Sequence, residues 1–329
     1  MLFDLLKQAQ ALNASDVHLA VGLAPRVRVQ GALRELTAPP MTQQLLEQEL
    51  RGLLPESAWQ TLARTGEVDA AFSDNDGERY RLNAYLQGSQ YALAVRLLAS
   101  SIPTCAELGL PASVQRLAEL TQGLVLSVGP TGSGKSTTLA ALLQRINMSR
   151  AVHIVTLEDP VEYLYPQGEA LISQREIGRD TAGFASGLRS ALRQDPDVIL
   201  VGELRDSESI AMALSAAETG HLVFATLHTQ DAAGSINRIL DALPERQAQV
   251  RTQLAECLQA IVCQRLLPRA DGRGRVAAFE VLVATEALRN LIREGRTHQL
   301  ESYIQTGKRF GMVTLAESVS ELRRQGIIK

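Results

Sequence analysis

A chain of 329 residues is long enough for about two domains, each burying its own core. Its 45% hydrophobic and 21% charged residues are ordinary for a globular protein, and a formal net charge of −3 argues against a broad nucleic-acid-binding face, which would be basic. Cys105, Cys257 and Cys263 form no CxxC pair, so neither a zinc ribbon nor a disulfide framework is expected. The first residues carry Asp4 and Lys7 without a long apolar run, unlike a signal peptide. Nowhere do ~18 consecutive apolar residues mark a membrane span, and a cytoplasmic location is the expectation.

In chain order, Leu2, Leu5, Leu6, Ala9 and Leu12 have helical spacing. Alternating stretches at 17–21 and 26–31 follow, with Gly31 suited to a hairpin turn. One helical segment is predicted around 42–64. Next, two alternating runs flank Asp74-Asn75-Asp76-Gly77, a turn signal, and 91–98 reads as a further strand. These elements describe a small α+β domain over 1–98. Residues 100–111 hold two prolines and no sustained periodicity, the pattern of a linker. Beyond them the pattern changes. Apolar runs at 123–129, 152–159, 198–202 and 221–228 lack alternation, as strands buried on both faces of a parallel sheet do. Helical stretches at 181–193 and 207–219 complete an α/β pattern. The last ~60 residues read as mostly helical, with one strand-like stretch at 275–284.

The chemistry concentrates in four places. Gly129-Pro130-Thr131-Gly132-Ser133-Gly134-Lys135-Ser136 fits GxxxxGK[ST] at every fixed position, after a strand and opening a helix. Glycines let such a loop curl so that its N–H groups face phosphate oxygens, and the helix adds its positive end. Lys135 is placed to reach the β- and γ-phosphates, Ser136 to ligate Mg²⁺, and Thr137 continues the site. Glu158-Asp159-Pro160-Val161-Glu162 ends the next strand. Alone it reads more often as a cap and turn, but its position after the loop strand reverses that and suits carboxylates that orient water or hold Mg²⁺. In VILVGELRD the acid arrives one residue late, at Glu203. His228 ends the fourth strand, where a γ-phosphate sensor and a solvated histidine are both open readings.

Together GPTGSGKSTT, TLEDPVEY, RSALRQDPDVILVGELRD and ETGHLVFATLHT resemble the ATPase superfamily that drives type II secretion and type IV pili. The resemblance spans nearly the whole chain and is nearest to the pilus retraction ATPases, the PilT type. It implies a RecA-like P-loop ATPase domain at 116–329, helical from about 265, and a PAS-like domain at 1–98 joined by a linker at 99–115. Glu162 becomes the general base beside Glu158, Glu203 the Walker B acid and metal ligand, and His228 the centre of a histidine box. Arg79, Arg81 and Arg96 become nucleotide-contacting arginines; without the resemblance they read as solvated strand-face cations. ATP and Mg²⁺ are the implied cofactors. A homo-hexamer docking on an inner-membrane platform protein is the implied assembly, with no nucleic acid.

The stretch ALRNLIREGRTHQL at 287–300 puts Leu288, Leu291 and Ile292 on one helical face, ended by Gly295. Bottom-up this is a packed amphipathic helix; the resemblance implies a role in retraction. On that reading, Leu291→Ala with Ile292→Ala is expected to spare hydrolysis. Alternatives to retraction are an assembly or secretion motor, against which the missing CxxC counts, a retraction-like paralogue, a nucleic-acid motor, or a non-hydrolysing regulatory subunit.

Overall fold

The computed structural model describes residues 1–29, 31–98 and 101–329, and the chain divides into two compact units, Met1–Ser101 and Ile102–Lys329. The first unit runs α1 (Leu2–Ala11), β1 (Asp16–Ala20), β2 (Arg26–Val29), β3 (Ala32–Glu35), α2 (Gln43–Leu53), α3 (Glu56–Thr65), β4 (Glu67–Ser73), β5 (Arg79–Gln87) and β6 (Gln90–Leu97). Among the described residues its strands form one antiparallel sheet in the order β3-β2-β1-β6-β5-β4. Strict alternation decides which face is inward: Tyr80, Leu82 and Ala84 are fully buried, and Arg79, Arg81 and Asn83 stand on the other face. Leu2, Leu5, Leu6 and Ala9 of α1 and Leu46 and Leu50 of α2 complete this core.

The single helix expected over 42–64 is two helices. Pro55 forces an extended residue before it, and α2 ends at Leu53, followed by Leu54 with ψ 133°. The turn at 74–77 is tied by Asp74, whose Oδ1 accepts from the amides of Asp76 (3.0 Å) and Glu78 (2.9 Å).

The second unit comprises α4 (Ala112–Gln115), β7 (Gly123–Val128), α5 (Lys135–Asn147), β8 (His153–Glu158), β9 (Leu171–Glu176), α6 (Phe184–Ala191), β10 (Val198–Val201), α7 (Ser207–Glu218), β11 (Leu222–Leu227), α8 (Ala232–Asp241), α9 (Gln247–Cys257), β12 (Leu258–Pro268), β13 (Arg275–Val283), α10 (Glu286–Arg293), α11 (Leu300–Thr306) and α12 (Leu315–Arg324). Its sheet has the order β13-β12-β7-β11-β10-β8-β9 among the described residues, parallel throughout except for β13. Alternate residues of one strand feed two cores: Leu124, Leu126 and Val128 pack on one face of β7, Val125 on the other. That two-sided burial is why these runs are apolar without alternation.

Two strands depart from the sequence reading. β9 is an edge strand, LISQRE, half-exposed and too polar to signal burial. The segment from about 265 is not helical at its start: β12 spans Leu258–Pro268 and forms an antiparallel hairpin with β13. It follows α9 with no intervening turn, so the sequence holds no punctuation between them. Residues 99 and 100 of the expected linker lie outside the described residues. Cys105 and Leu110, also expected in the linker, are buried in the core of the second unit. Among the described residues no helix is long and apolar enough to cross a membrane.

Candidate nucleotide site

Parallel pairing brings four strand ends to one edge. Val128 of β7 stands level with Leu227 of β11, and Val201 of β10 lies between Ala225 and Leu157. The segments that follow these strands, at 129–134, 158–162, 202–206 and 228–231, therefore emerge side by side, as ligand-binding loops of open α/β sheets do.

The first is the glycine loop. Gly129, Gly132 and Gly134 have φ of +144°, +74° and +90°, conformations that favour residues without a Cβ. Lys135 opens α5 and is buried; its ammonium donates to the carbonyls of Gly129 (2.7 Å) and Pro130 (3.0 Å). Burial lowers its pKa, opposed by the charges of Glu203 and Glu162. Ser133 Oγ is buried in the loop without a hydrogen-bond partner. A cation held on neutral carbonyls and an orphaned hydroxyl fit an anionic ligand that supplies acceptor oxygens. Ser136 is exposed, and Thr137 Oγ1 lies 3.0 Å from the Tyr163 hydroxyl.

Glu203 is the hub of the carboxylate side. Gly202 N donates to Leu157 O at 2.7 Å, prolonging the sheet contact by one residue. That extension accounts for the acid arriving one position late. Glu203 Oε2 accepts from Arg205 Nε at 2.7 Å, and its Oε1 lies 3.3 Å from His228 Nε2. Arg205 also reaches Asp159 at 3.5 Å, and the Glu203 carboxylate raises its pKa. The structure thus gathers Lys135, Glu203, His228 and the 158–162 turn, and adds Arg205, Tyr163 and, through its bond to Thr138 of α5, Gln264. Sequence reading passed over these three; only the arginine left a signal, as a charge two residues beyond the acid.

The two glutamates of the turn differ. Glu162 is exposed. Glu158 is half-buried, and burial followed by the Glu162 charge raises its pKa above the ordinary range, against donors from Thr156, Gln174 and Glu162 N. Its Oε1 accepts from Thr156 Oγ1 (2.7 Å) and Gln174 Nε2 (3.2 Å), so it ties the turn together. Oxygen donors at Ser136 and Glu203 suit a hard divalent cation.

Arg79, Arg81 and Arg96 belong to the first unit. Arg81 and Arg96 stand directly opposite each other on β5 and β6. Arg96 is paired with Asp16 at 3.0 Å, and Arg81 lies 3.8 Å from Asp69. On α10, Leu288 and Ile292 are fully buried, Leu291 half-buried, and Thr285 caps the N-terminus. Arg289 donates to the carbonyls of Ala255 (2.5 Å) and Glu256 (2.6 Å), capping the end of α9. The paired Leu291 and Ile292 substitution is consequently a core deletion, and its expected neutrality toward hydrolysis does not follow from this packing.

The family model for "Type II/IV secretion system protein" matches residues 1–327. The type IV pilus retractation ATPase PilT of Pseudomonas aeruginosa is 44% identical over 326 residues, covering 99% of this chain and 94% of that protein. The uncharacterized protein YggR of Escherichia coli K12 is 48% identical over 308 residues, covering 93% of each. A crystal structure of the pilus retraction motor PilT with bound ADP superposes with a TM-score of 0.92 at 44% identity, covering 99% of this chain and 94% of that one. The chain belongs to the type II/IV secretion system protein family.

Proposed function

We propose that this chain is an ATP-hydrolysing motor that powers type IV pilus retraction, with a PAS-like fold in its first unit and a RecA-like fold in its second. The observation that carries this reading is the glycine loop with its buried Lys135 beside Glu203 and His228 on one sheet edge. In this mechanism the loop amides and Lys135 bind the β- and γ-phosphates. Ser136 and Glu203 would hold Mg²⁺, which neutralises developing phosphate charge when bound. Glu162, exposed at the end of the Asp-containing turn, accepts the proton of the attacking water, and Glu158 fixes the turn that presents it. His228, its Nε2 3.3 Å from Glu203, reads the γ-phosphate. Arg79, Arg81 and Arg96 supply cations to the site in a homo-hexamer, which docks on a platform protein of the inner membrane. Retraction is favoured over assembly by the likeness to the retraction motor over nearly the full length of both chains.

Steady-state ATPase activity, measured with mass by light scattering in one buffer, tests this reading. Turnover by a hexamer is expected, falling below about a tenth in Glu203→Ala and in Lys135→Ala. A monomer without turnover, or substantial activity in either variant, would overturn it.

A further inference from the structure

Gln264 is a polar side chain in the apolar strand β12, only 5% exposed, and the loop motif does not call for it. Cys263 stands level with Val128, so Gln264 lies beside the first residue of the glycine loop. Its Oε1 accepts a 2.7 Å hydrogen bond from Thr138 Oγ1. Thr138 is 1% exposed and sits one turn into α5, its amide donating to Gly134 O at 3.0 Å. At Gly134 a Cβ would stand 2.7 Å from Gln264 Nε2, and at Gly129 a Cβ would collide with the Gln264 carbonyl. One residue of β12 therefore touches the loop at both ends, and two loop glycines leave it room.

A buried amide at this position holds its neighbours by direction as well as by volume. We propose that Gln264 is a positioning residue of the nucleotide site. Through Thr138 and Gly134 it sets the height of the α5 N-terminus against β12, and with it the aim of the loop amides and Lys135. This rests on the assignment of the loop as the phosphate site. Gln264 acts through Thr138 and Gly134, so its loss weakens nucleotide binding while leaving the water-activating carboxylates in place. The defect belongs in KM and in ADP affinity, with kcat at saturating ATP nearly unchanged.

The test uses the full chain: affinity for a fluorescent ADP analogue with Mg²⁺, melting temperature, and the KM and kcat of hydrolysis. Thr138→Val and Gln264→Leu are each expected to weaken ADP binding by about tenfold, and the double variant by no more than either single, because the same bond is lost. Gln264→Glu keeps the acceptor. Its ADP affinity is expected to fall with rising pH more steeply than that of the wild type, as ionisation places a negative charge behind the phosphates. Pure packing would lower the melting temperature and leave ADP affinity and its pH slope unchanged; that result overturns the proposal. Lys135→Ala is the control for the underlying assignment. If it too binds ADP normally, the loop is not the phosphate site, and the fault lies there rather than with Gln264.

Discussion

Glu158 and Glu162 lie four residues apart and are set to different tasks by burial. Exposed Glu162 is free to meet water, whereas half-buried Glu158 has its carboxylate drawn into a network with Thr156 and Gln174. Its folded pKa is raised, so the folded state holds the proton more tightly than the unfolded one. Stability from this group is complete below the ordinary value of 4.5 and declines as pH rises through the folded pKa. Glu158→Gln keeps a carbonyl acceptor and removes that titration. Its stability relative to wild type is expected to climb with pH above about 4.5, read by denaturant unfolding at a series of pH values. A difference that stays flat across that window would show that Glu158 is not held in its protonated form by folding.

At the scale of elements, α10 is set by burial on one side and by an arginine cap on the other. Ile292 is fully enclosed in the larger core cluster, so Ile292→Ala is expected to cost about 2–5 kcal/mol through the lost methylenes and the cavity left behind. In a unit of this size that lowers the melting temperature by roughly 2–4 °C per kcal/mol. Leu291 is only half-buried, and Leu291→Ala is expected to lose less than half as much stability. Calorimetry on the two single variants separates them. Equal losses would mean that the helix does not sit on the core by its Leu288–Ile292 edge. Only Leu291→Ala is then suited to asking whether this helix serves pilus retraction apart from hydrolysis.

For the whole molecule, the arginines are the part of the proposed mechanism that the first unit would supply. Arg81 and Arg96 are like charges directly opposite across two strands, an arrangement that costs stability unless carboxylates or an anion offset it. Asp16 and Asp69 offset it within the unit. If the pair serves the nucleotide in the assembled ring, Arg96→Ala is expected to lower kcat at least tenfold while ADP affinity changes little, since an arginine of this kind acts on the transition state. The folding core of the unit does not use Arg96, so the melting temperature should hold. Unchanged turnover in hexameric Arg96→Ala, checked by light scattering, would return this residue to the role of a surface cation.

The local sequence determined the glycine loop, because a strand, three positive-φ glycines and a lysine opening a helix are contiguous and need no distant partner. It also determined the paired hairpins of the first unit, whose alternation survives in β5, and the two-sided apolar runs of β7, β8, β10 and β11. It did not reveal β12, which carries Cys263, Gln264 and Arg265 and joins α9 without a turn residue. Nor did it divide α2 from α3, although Pro55 was in view. The contacts of Glu203 with His228, of Arg205 with Asp159, and of Gln264 with Thr138 were decided by tertiary structure. Each depends on strands that are far apart in the chain becoming neighbours in one parallel sheet, and only their register says which side chains face the same edge.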